Sequence, residues 1–474
     1  MKRLMIAAPK SGSGKTLITC GLLRLMTRQG YDVTSYKCGP DYIDPMFHRR
    51  VLGVPGGNLD SFFSTESEIR SIISRCGHEY AVIEGVMGIY DGIISGKAGD
   101  DNASSIQYNG SCYDIARITE TPVILVIDVK GMGQTMVSII KGILADDQHH
   151  LIRGIILNRI SDHYYDQISP LIRNALPEYA SLIGYMPVSE DIKLDSRHLG
   201  LVMPDEISDI MKRLDRAADL IEANIDTGSL FSIMEQTEDI GNVSQEHIHE
   251  EYDCSVKHDL PVDEKLVLAV ARDDAFCFYY EENLRMLERA GITIKEFSPL
   301  NDDSVPDDAD GILLGGGYPE LYAEQLSSNN SMRDSILNAI TGGIPSYAEC
   351  GGFMYLLDTL TDKNGKVWPM CGVLKGSSHY TGRLSRFGYI DITLPDGLSV
   401  KGHEFHYYDS DNNGTDAHAV KPGSGRAWKC IHAGPDHIWG YPHLWYPSCP
   451  ELIEFIRKSM ILSKNIHESD SSRL

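Results

Sequence analysis

Short apolar runs alternate with stretches of helical periodicity through the first half of the chain. Five such runs occupy residues 4–8, 80–83, 122–128, 154–158 and 183–188. Nearly continuous apolar runs are typical of parallel strands that are covered on both faces by helices. The pattern therefore predicts an α/β domain with a doubly wound parallel sheet over residues 1–228.

The pattern lapses after residue 228 and starts again near residue 263. Residues 229–262 are polar and acidic, and we interpret them as a linker between two domains. A second α/β series follows, with strands at 266–270 and 311–314 and a helix at 281–290 that is closed by Gly291. It predicts a second doubly wound domain over residues 263–450, followed by a terminal helix and a polar tail over 451–474.

Composition agrees with two folded domains. The chain has 474 residues, of which 42% are hydrophobic and 23% charged, and this is ordinary for a soluble globular protein. The formal net charge of -24 argues against a broad nucleic-acid-binding face. We therefore expect no nucleic acid as a partner, and any anionic ligand must be held locally.

Cysteine usage and hydropathy indicate the compartment. The ten cysteines are scattered without a Cys-x-x-Cys pair, which fits a reducing environment. The first apolar run ends too soon, at Pro9, for a signal peptide, and no run of about 18 apolar residues occurs that would span a membrane. These features predict a cytoplasmic protein without a membrane segment.

A phosphate-binding loop follows the first predicted strand. The sequence PKSGSGKT occupies residues 9–16 and leads into a helix that stops at Gly30. Small residues let successive backbone N–H groups converge on phosphate oxygens, Lys15 adds positive charge, and the Thr16 hydroxyl can hold Mg²⁺. Lys10 has two interpretations: the extra lysine of partition-type ATPases, which reaches across a dimer, or a solvated loop lysine. The first interpretation leaves a homodimer possible.

Acidic residues that can serve a magnesium–phosphate site occur in two segments. Lys37, Asp41 and Asp44 lie in a stretch rich in glycine and proline that we interpret as a stiff loop. Glu84 ends a buried strand, and Asp91 lies on the loop that follows. Because ligands bind at the carboxyl ends of parallel strands, these acids predict a site for Mg²⁺ and a transferring phosphoryl group.

Cys350 lies between a predicted strand and a helix-like run, in the sequence SYAECGG at 346–352. A thiol on such a turn gains thiolate character from the helix N-terminus and lies beside N–H groups that can bind an oxyanion. The glycines at 315–317, directly after the strand at 311–314, are candidates for that oxyanion hole, and His443 is the candidate base. The alternatives are a buried structural cysteine, a flexible glycine turn and a packed histidine.

A possible metal motif, HEFH at 403–406, gives only a weak signal because no third matched ligand accompanies it.

The sequence resembles the glutamine-dependent a,c-diamide synthases of corrinoid biosynthesis over nearly the whole chain. The resemblance rests on KCGPDYIDP at 37–45, NLD at 58–60, EGVMGIYDG at 84–92, SRHLGLV at 196–202, YAECGG at 347–352 and GHEFH at 402–406. It implies an N-terminal P-loop domain similar to dethiobiotin synthetase and a C-terminal glutaminase-like, flavodoxin-like domain. It also implies ATP and Mg²⁺ as cofactors, cobyrinate and glutamine as substrates, and amidation of the a and c acetate carboxylates.

The resemblance also implies roles for individual residues. Those assigned to nucleotide binding are Lys10, Gly12, Ser13, Gly14, Lys15, Thr16, Lys37 and Asn158, and those assigned to the metal are Thr16, Asp41 and Glu84. Those assigned to catalysis are Cys350, His443, Asp44 and Asp91, with Gly316, Gly317 and Gly351 forming the oxyanion hole.

The residue two positions after His443 differs from that of other glutaminases. These carry a carboxylate two residues after the histidine, where this chain has Trp445, so the third member of the triad is open and Glu404 is only a guess.

Three other functions remain open at this stage. They are the same diamidation on another tetrapyrrole such as nickel sirohydrochlorin or hydrogenobyrinate, a partition-type ATP switch, and a corrinoid-binding protein without ATP turnover.

Overall fold

The computed structural model describes residues 1–93, 108–193, 210–240 and 265–466, together with the backbone of 196–197, 200–201 and 467–471. The chain divides into two compact units, Met1–His249 and Glu250–Leu474. The segment 100–107, most of the motif at 196–202 and the linker residues 241–262 lie outside the described residues.

The N-terminal unit is built on a parallel sheet. Its strands are β1 (Lys2–Ala7), β2 (Val33–Cys38), β3 (Gly56–Leu59), β4 (Tyr80–Glu84), β5 (Val123–Asp128), β6 (Ile152–Asn158) and β7 (Ser181–Met186). They are arranged in the order β3-β2-β4-β1-β5-β6-β7, and every neighbouring pair is parallel. A short antiparallel pair, β8 (Ser196–Arg197) and β9 (Gly200–Leu201), follows.

Helices flank this sheet. They are α1 (Lys15–Arg28), α2 (Ile43–Leu52), α3 (Glu66–Ser74), α4 (Cys112–Ile118), α5 (Thr135–Ala145), α6 (Asp162–Arg173), α7 (Ile210–Asn224) and α8 (Thr227–Glu235), with a 3₁₀ turn at Glu190–Ile192. The apolar runs predicted as strands correspond to β1, β4, β5, β6 and β7, and their side chains form the core. This arrangement confirms the predicted α/β class.

Strand β2 was missed by the sequence interpretation, which placed Lys37 in a stiff loop. Lys37 is instead the fifth residue of β2 and is buried. The strand carries Thr34, Ser35 and Lys37, so its apolar content is too low for an apolar-run criterion, yet every residue of it is buried. Each of these polar side chains finds a partner inside the unit, which permits its burial.

Helix α8 corrects the start of the predicted linker. Leu230 and Met234 are buried, and Phe231 stacks on Tyr31 with 5.0 Å between ring centroids. Asp226 caps the helix by accepting a hydrogen bond from the backbone N–H of Ser229 at 2.9 Å. Residues 229–235 are therefore helix packed on the N-terminal unit, because this stretch carries apolar side chains at helical spacing and only one acidic residue, Glu235.

The C-terminal unit is also centred on a largely parallel sheet. The strands of this sheet are β10 (Leu266–Ala271), β12 (Ile292–Phe297), β13 (Gly311–Leu314), β15 (Ser346–Glu349), β24 (His432–Ala433) and β25 (His437–Gly440). Their order is β12-β10-β13-β15-β25-β24, and only β24 is antiparallel to its neighbour. A two-stranded pair joins β11 (Phe276–Phe278) to β14 (Gly316–Gly317).

Two smaller sheets, mostly antiparallel, extend this unit beyond the predicted α/β pattern. One contains β16 (Leu357–Thr361), β17 (Val367–Pro369), β18 (Leu374–Tyr380) and β21 (Tyr408–Ser410). The other contains β19 (Arg386–Thr393), β20 (Ser399–His406), β22 (Ala417–Val420), β23 (Ala427–Cys430) and β26 (His443–Trp445).

Five helices complete the C-terminal unit. They are α9 (Glu281–Arg289), α10 (Ala323–Ser328), α11 (Asn330–Thr341), α12 (Gly351–Leu356) and α13 (Glu451–Ser471), and a 3₁₀ turn covers Tyr446–Ser448. Among the described residues, no helix is long and apolar enough to cross a membrane.

Arg3 on β1 ties separate parts of the N-terminal unit together. Its guanidinium is buried and donates to the carbonyl oxygens of Thr119 at 2.9 Å, Met1 at 3.0 Å and Glu238 at 2.8 Å. We predict that Arg3→Met lowers the free energy of unfolding by about 3 kcal/mol, because three carbonyls lose a charged donor. Urea unfolding measures the change.

Arg70→Met is the matched control. Arg70 pairs with the exposed Glu120, so its loss should change the same free energy by less than about 1 kcal/mol. Equal effects of the two substitutions would contradict the structural role of Arg3.

Two candidate active sites

The phosphate-binding loop leaves β1 and enters α1 through two glycines with positive φ. Gly12 has a φ of 75° and Gly14 one of 95°. A Cβ on Gly14 would lie 2.2 Å from the side-chain nitrogen of Asn158, which itself donates to the Ser13 carbonyl at 2.8 Å. The backbone at Gly14 therefore approaches β6 more closely than any other residue type allows.

Lys15 is held over this loop by backbone oxygens. Its Nζ donates to the carbonyls of Lys10 at 3.3 Å and Met87 at 2.6 Å. Burial lowers the pKa of the Lys15 ammonium below its ordinary value. The side chain of Lys10 is exposed, and only its carbonyl takes part in these contacts.

A buried cluster of charges lies at the carboxyl ends of β2 and β4. Glu84 Oε1 accepts from the Thr16 hydroxyl at 2.6 Å and from Lys37 Nζ at 2.8 Å, and Lys37 also donates to Asp44. Burial raises the pKa of Glu84 to about 7, whereas Lys37 keeps that of Asp44 below its ordinary value. The structure thus brings together Thr16, Lys37, Asp44 and Glu84, as the sequence predicted.

Asp41 and Asp91 occupy different positions. Asp41 lines the same cleft, and its Oδ1 accepts from the backbone N–H of Ile43 at 2.8 Å. Burial raises the pKa of Asp41 to about 6. Asp91 is exposed on the loop after β4 and accepts from the Gly88 N–H at 2.7 Å, so its carboxylate supports the loop.

The cleft above these residues has a volume of about 740 Å³. It is lined by Gly12, Lys15, Lys37, Asp44, Glu84 and Asn158, among others. Its size and its phosphate loop suit a nucleotide.

The donor set also suits Mg²⁺. Glu84 Oε2 is buried without a hydrogen-bond partner among the described residues, while Oε1 of the same carboxylate accepts from the Thr16 hydroxyl. No group of three or more His, Cys, Asp or Glu in the described ranges is placed to hold a metal ion alone. An ion here would therefore need phosphate oxygens as further ligands, as Mg²⁺ commonly does.

Arg159 and Asp128 were missed by the sequence interpretation. Arg159 follows β6 in a left-handed conformation with a φ of 63°, and its guanidinium donates to the Gly12 carbonyl at 3.0 Å. Asp128 at the end of β5 pairs with the same guanidinium at 2.8 Å. Their positions after two buried strands are the signal that could have found them.

The second candidate site is centred on Cys350, between β15 and α12. Cys350 has a φ of 47° and a ψ of -101°, a conformation rare outside glycine. Its N–H donates to the Gly440 carbonyl at 2.8 Å, and the Gly352 N–H donates to the Gly315 carbonyl at 2.9 Å. These bonds hold the thiol on a strained turn between strand and helix.

The predicted glycines lie beside this turn. A Cβ on Gly351 would lie 3.1 Å from the backbone nitrogen of Gly317, and one on Gly316 would lie 2.3 Å from Cε1 of His443. The Gly315 N–H, by contrast, donates to the Tyr279 hydroxyl at 2.8 Å. The glycine segment therefore connects the nucleophile turn to the candidate base.

His443 begins β26 and is buried. Its ring stacks on that of His403 with 5.0 Å between centroids. Its Nδ1 lies 3.5 Å from Oε2 of Glu349, the residue before Cys350. Glu349 is a site residue that the sequence interpretation missed.

Glu404 lies in another cluster. On β20, side chains alternate between the two faces, which separates His403 from Glu404 and His406 and excludes a joint metal site. Glu404 Oε2 pairs with His406 Nε2 at 2.8 Å, and its Oε1 accepts from Trp428 at 3.2 Å. The guess that Glu404 orients His443 is therefore not supported, because its contacts lie with His406 and Trp428.

The pKa of the Cys350 thiol differs from the thiolate character that the sequence predicted. Burial raises the pKa of Cys350 above its ordinary value, and Glu320 and Glu404 add to this effect. Helix α12 has only six residues, so its dipole does not outweigh the burial. A thiol whose pKa is raised is protonated at neutral pH, so Cys350 would need a base to act as a nucleophile.

Comparison with known families assigns a domain to each of the two units. Residues 4–202 match the CobQ/CobB/MinD/ParA nucleotide binding domain. Residues 267–434 match the CobB/CobQ-like glutamine amidotransferase domain.

Curated relatives match over nearly the whole length. The cobyrinate a,c-diamide synthase of Clostridium tetani is 36% identical over 458 residues, covering 94% of this chain and 97% of the relative. The chain belongs to the cobyrinate a,c-diamide synthase family. Relatives of the same name from Listeria innocua (38% identical, 86% of this chain, 87% of the relative) and Picrophilus torridus (36%, 96% and 98%) agree.

Membership in the cobyrinate a,c-diamide synthase family settles the class of the protein. It is an enzyme, a ligase of the glutamine-dependent amidotransferase type, with a nucleotide-binding domain.

A test of the phosphate loop uses Gly14→Ala. The added Cβ would displace Asn158, so we predict that the variant no longer binds ATP analogues in calorimetric titration. Gly30→Ala is the matched control, since Gly30 also has positive φ but has no atom within 4 Å of its added Cβ. It should cost only about 1 kcal/mol of stability and keep nucleotide affinity. Normal affinity in Gly14→Ala would contradict the assignment.

The raised pKa of Cys350 predicts slow alkylation. Iodoacetamide reacts with thiolates, so Cys350 should be modified more slowly at pH 7.5 than the partly exposed Cys76, and its rate should still rise up to pH 10. Mass spectrometry of peptides after timed exposure measures both rates. A rate at Cys350 that is already constant above pH 7 would show a thiolate and contradict this view.

Proposed function

We propose that the chain catalyses ATP- and glutamine-dependent amidation of the a and c acetate carboxylates of cobyrinate. The observation that carries the proposal is the pairing, in one chain of this family, of a phosphate loop facing buried carboxylates with a cysteine on a strained turn beside a histidine. The first arrangement suits carboxylate activation, and the second suits release of nitrogen from glutamine.

Nitrogen release begins at Cys350. His443 accepts the thiol proton as sulfur attacks the side-chain amide carbon of glutamine, and the N–H groups of Gly317 and Gly351 stabilise the tetrahedral oxyanion. The C–N bond breaks, the proton passes from His443 to the nitrogen, and ammonia leaves. Water, deprotonated by His443, then hydrolyses the thioester and releases glutamate and the free thiol.

Carboxylate activation occurs in the P-loop cleft. An oxygen of the macrocycle carboxylate attacks the terminal phosphoryl group of ATP, which gives an acyl phosphate and ADP. Lys15 and Lys37 stabilise the charge on the transferring group, and Thr16, Asp41 and Glu84 are the residues that would hold Mg²⁺. Ammonia attacks the acyl carbon and phosphate leaves, so each amide consumes one ATP and one glutamine.

The chemistry explains the need for both sites. A carboxylate is a poor acyl electrophile at neutral pH, whereas an acyl phosphate carries a good leaving group. Neither a partition-type switch nor a corrinoid-binding protein would require a cysteine on a strained turn beside a histidine. Because peripheral acetate side chains occur on several tetrapyrroles, an activity assay is needed to identify which ring is the substrate.

The assay supplies ATP, Mg²⁺ and glutamine with cobyrinate, hydrogenobyrinate or nickel sirohydrochlorin in turn, and follows product mass. We expect two successive amidations of cobyrinate. Cys350→Ala should lose glutamine-dependent amidation and keep ammonia-dependent amidation, because only nitrogen release is removed. Lys15→Ala should lose both, because activation is removed.

Three results would contradict the proposal. They are glutamine use that survives Cys350→Ala, amidation without ATP, and a clear preference for another ring over cobyrinate. The last would leave the chemistry in place and reassign the substrate.

A further inference from the structure

The histidine of the second site has no carboxylate two residues further along the chain. Trp445 occupies that position, and its ring is buried against Tyr280 with 5.0 Å between centroids. The arrangement of the strands instead brings the carboxylate of Glu349, on β15, close to the imidazole. Glu349 Oε2 lies 3.5 Å from His443 Nδ1, although the two residues are far apart in sequence.

Glu349 is brought there by the sheet. It ends β15 and pairs in register with Gly440, which ends β25. Only Tyr441 and Pro442 separate β25 from His443, so His443 lies close to Glu349 at the end of β15. Cys350 and Glu349 are adjacent, and the strained turn at Cys350 lets the thiol and the carboxylate serve one site.

The carboxylate is itself held in place. The Tyr446 hydroxyl donates to Glu349 Oε1 at 3.4 Å. Tyr446 is fixed by its own N–H, which donates to Asn283 Oδ1 at 3.0 Å, and the Asn283 amide donates to the Leu444 carbonyl at 2.8 Å. This leaves Glu349 Oε2 directed at the imidazole.

We infer that Glu349 is the positioning residue of the glutaminase site, holding the His443 imidazole with Nδ1–H towards the carboxylate. That tautomer leaves Nε2 with the lone pair that accepts the thiol proton, and the carboxylate then stabilises the imidazolium. A protonated, buried Cys350 makes such a base necessary. The contact need only shorten slightly on glutamine binding to become a strong hydrogen bond.

Other groups facing His443 do not replace Glu349. The stacked His403 offers no negative charge. Its Nδ1 is hydrogen-bonded to the Tyr280 hydroxyl at 3.1 Å. Glu404 pairs with His406. Glu349 therefore supplies the carboxylate within reach of the imidazole.

The test measures glutamine hydrolysis by the full chain for Glu349→Gln and Glu349→Asp. Glu349→Gln should lower kcat by roughly 10² to 10⁴-fold, the range for a base in the wrong tautomer, while KM for glutamine stays unchanged. The acid limb of its pH profile should move to lower pH, because the imidazolium loses its carboxylate. Glu349→Asp keeps the charge and should recover much of kcat.

Glu404→Gln is the matched control. It makes the same change at a buried glutamate that pairs with a different histidine, and it should leave in place the acid limb of the pH profile, which reports the imidazole of His443. Thermal unfolding of every variant is measured alongside, and ammonia-dependent amidation should stay normal in all of them.

Several outcomes would overturn the inference. They are a normal kcat in Glu349→Gln, a loss carried by KM alone, an unmoved pH profile, and equal losses in Glu349→Gln and Glu349→Asp. The inference rests on the proposed roles of Cys350 and His443, and Cys350→Ala separates the two failures. Hydrolysis that survives Cys350→Ala refutes the proposed function, whereas an inactive Cys350→Ala with a fully active Glu349→Gln refutes only the role of Glu349.

Discussion

Both candidate sites depend on backbone that approaches its neighbour more closely than a side chain would allow. In the loop after β1, Gly14 lies against Asn158, and in β14, which follows β13, Gly316 lies against the ring of His443. In parallel sheets the loops after such strands meet at one edge, where N–H groups and side chains from several strands converge. The absence of a Cβ at these positions permits the close approach of Asn158 and His443, and under the proposed function it would leave backbone donors open to a phosphate group in one unit and to an oxyanion in the other.

Burial then sets the protonation states of both sites. It raises the pKa values of Glu84, Asp41 and the Cys350 thiol and lowers that of Lys15, so each group is less charged than it would be in water. Lys37 resists this tendency through its bonds to Asp44 and Glu84. In the N-terminal unit the carboxylates Asp44 and Glu84 thus depend on Lys37, and in the proposed mechanism the thiol depends in the same way on His443.

The sequence was informative where one local pattern determined the outcome. Continuous apolar runs located β1 and β4 to β7, and the spacing of small residues around Lys15 located the phosphate loop. The same reasoning missed β2, because Thr34, Ser35 and Lys37 are buried polar residues satisfied by distant partners. It also missed Glu349, whose contact with His443 arises from the order of β15, β25 and β26 rather than from spacing. The expected thiolate at Cys350 was wrong because burial, which depends on the whole unit, outweighs one short helix.

Under the proposed function, nitrogen released at Cys350 attacks a carboxylate that has been activated by phosphorylation in the P-loop cleft. The most direct measurement uses cobyrinate labelled with ¹⁸O in its peripheral carboxylates, together with ATP and glutamine, and follows the label by mass. We expect one ¹⁸O in inorganic phosphate for every amide formed and none in a nucleotide. Amide formation with unlabelled phosphate, or label in AMP, would contradict activation by phosphorylation.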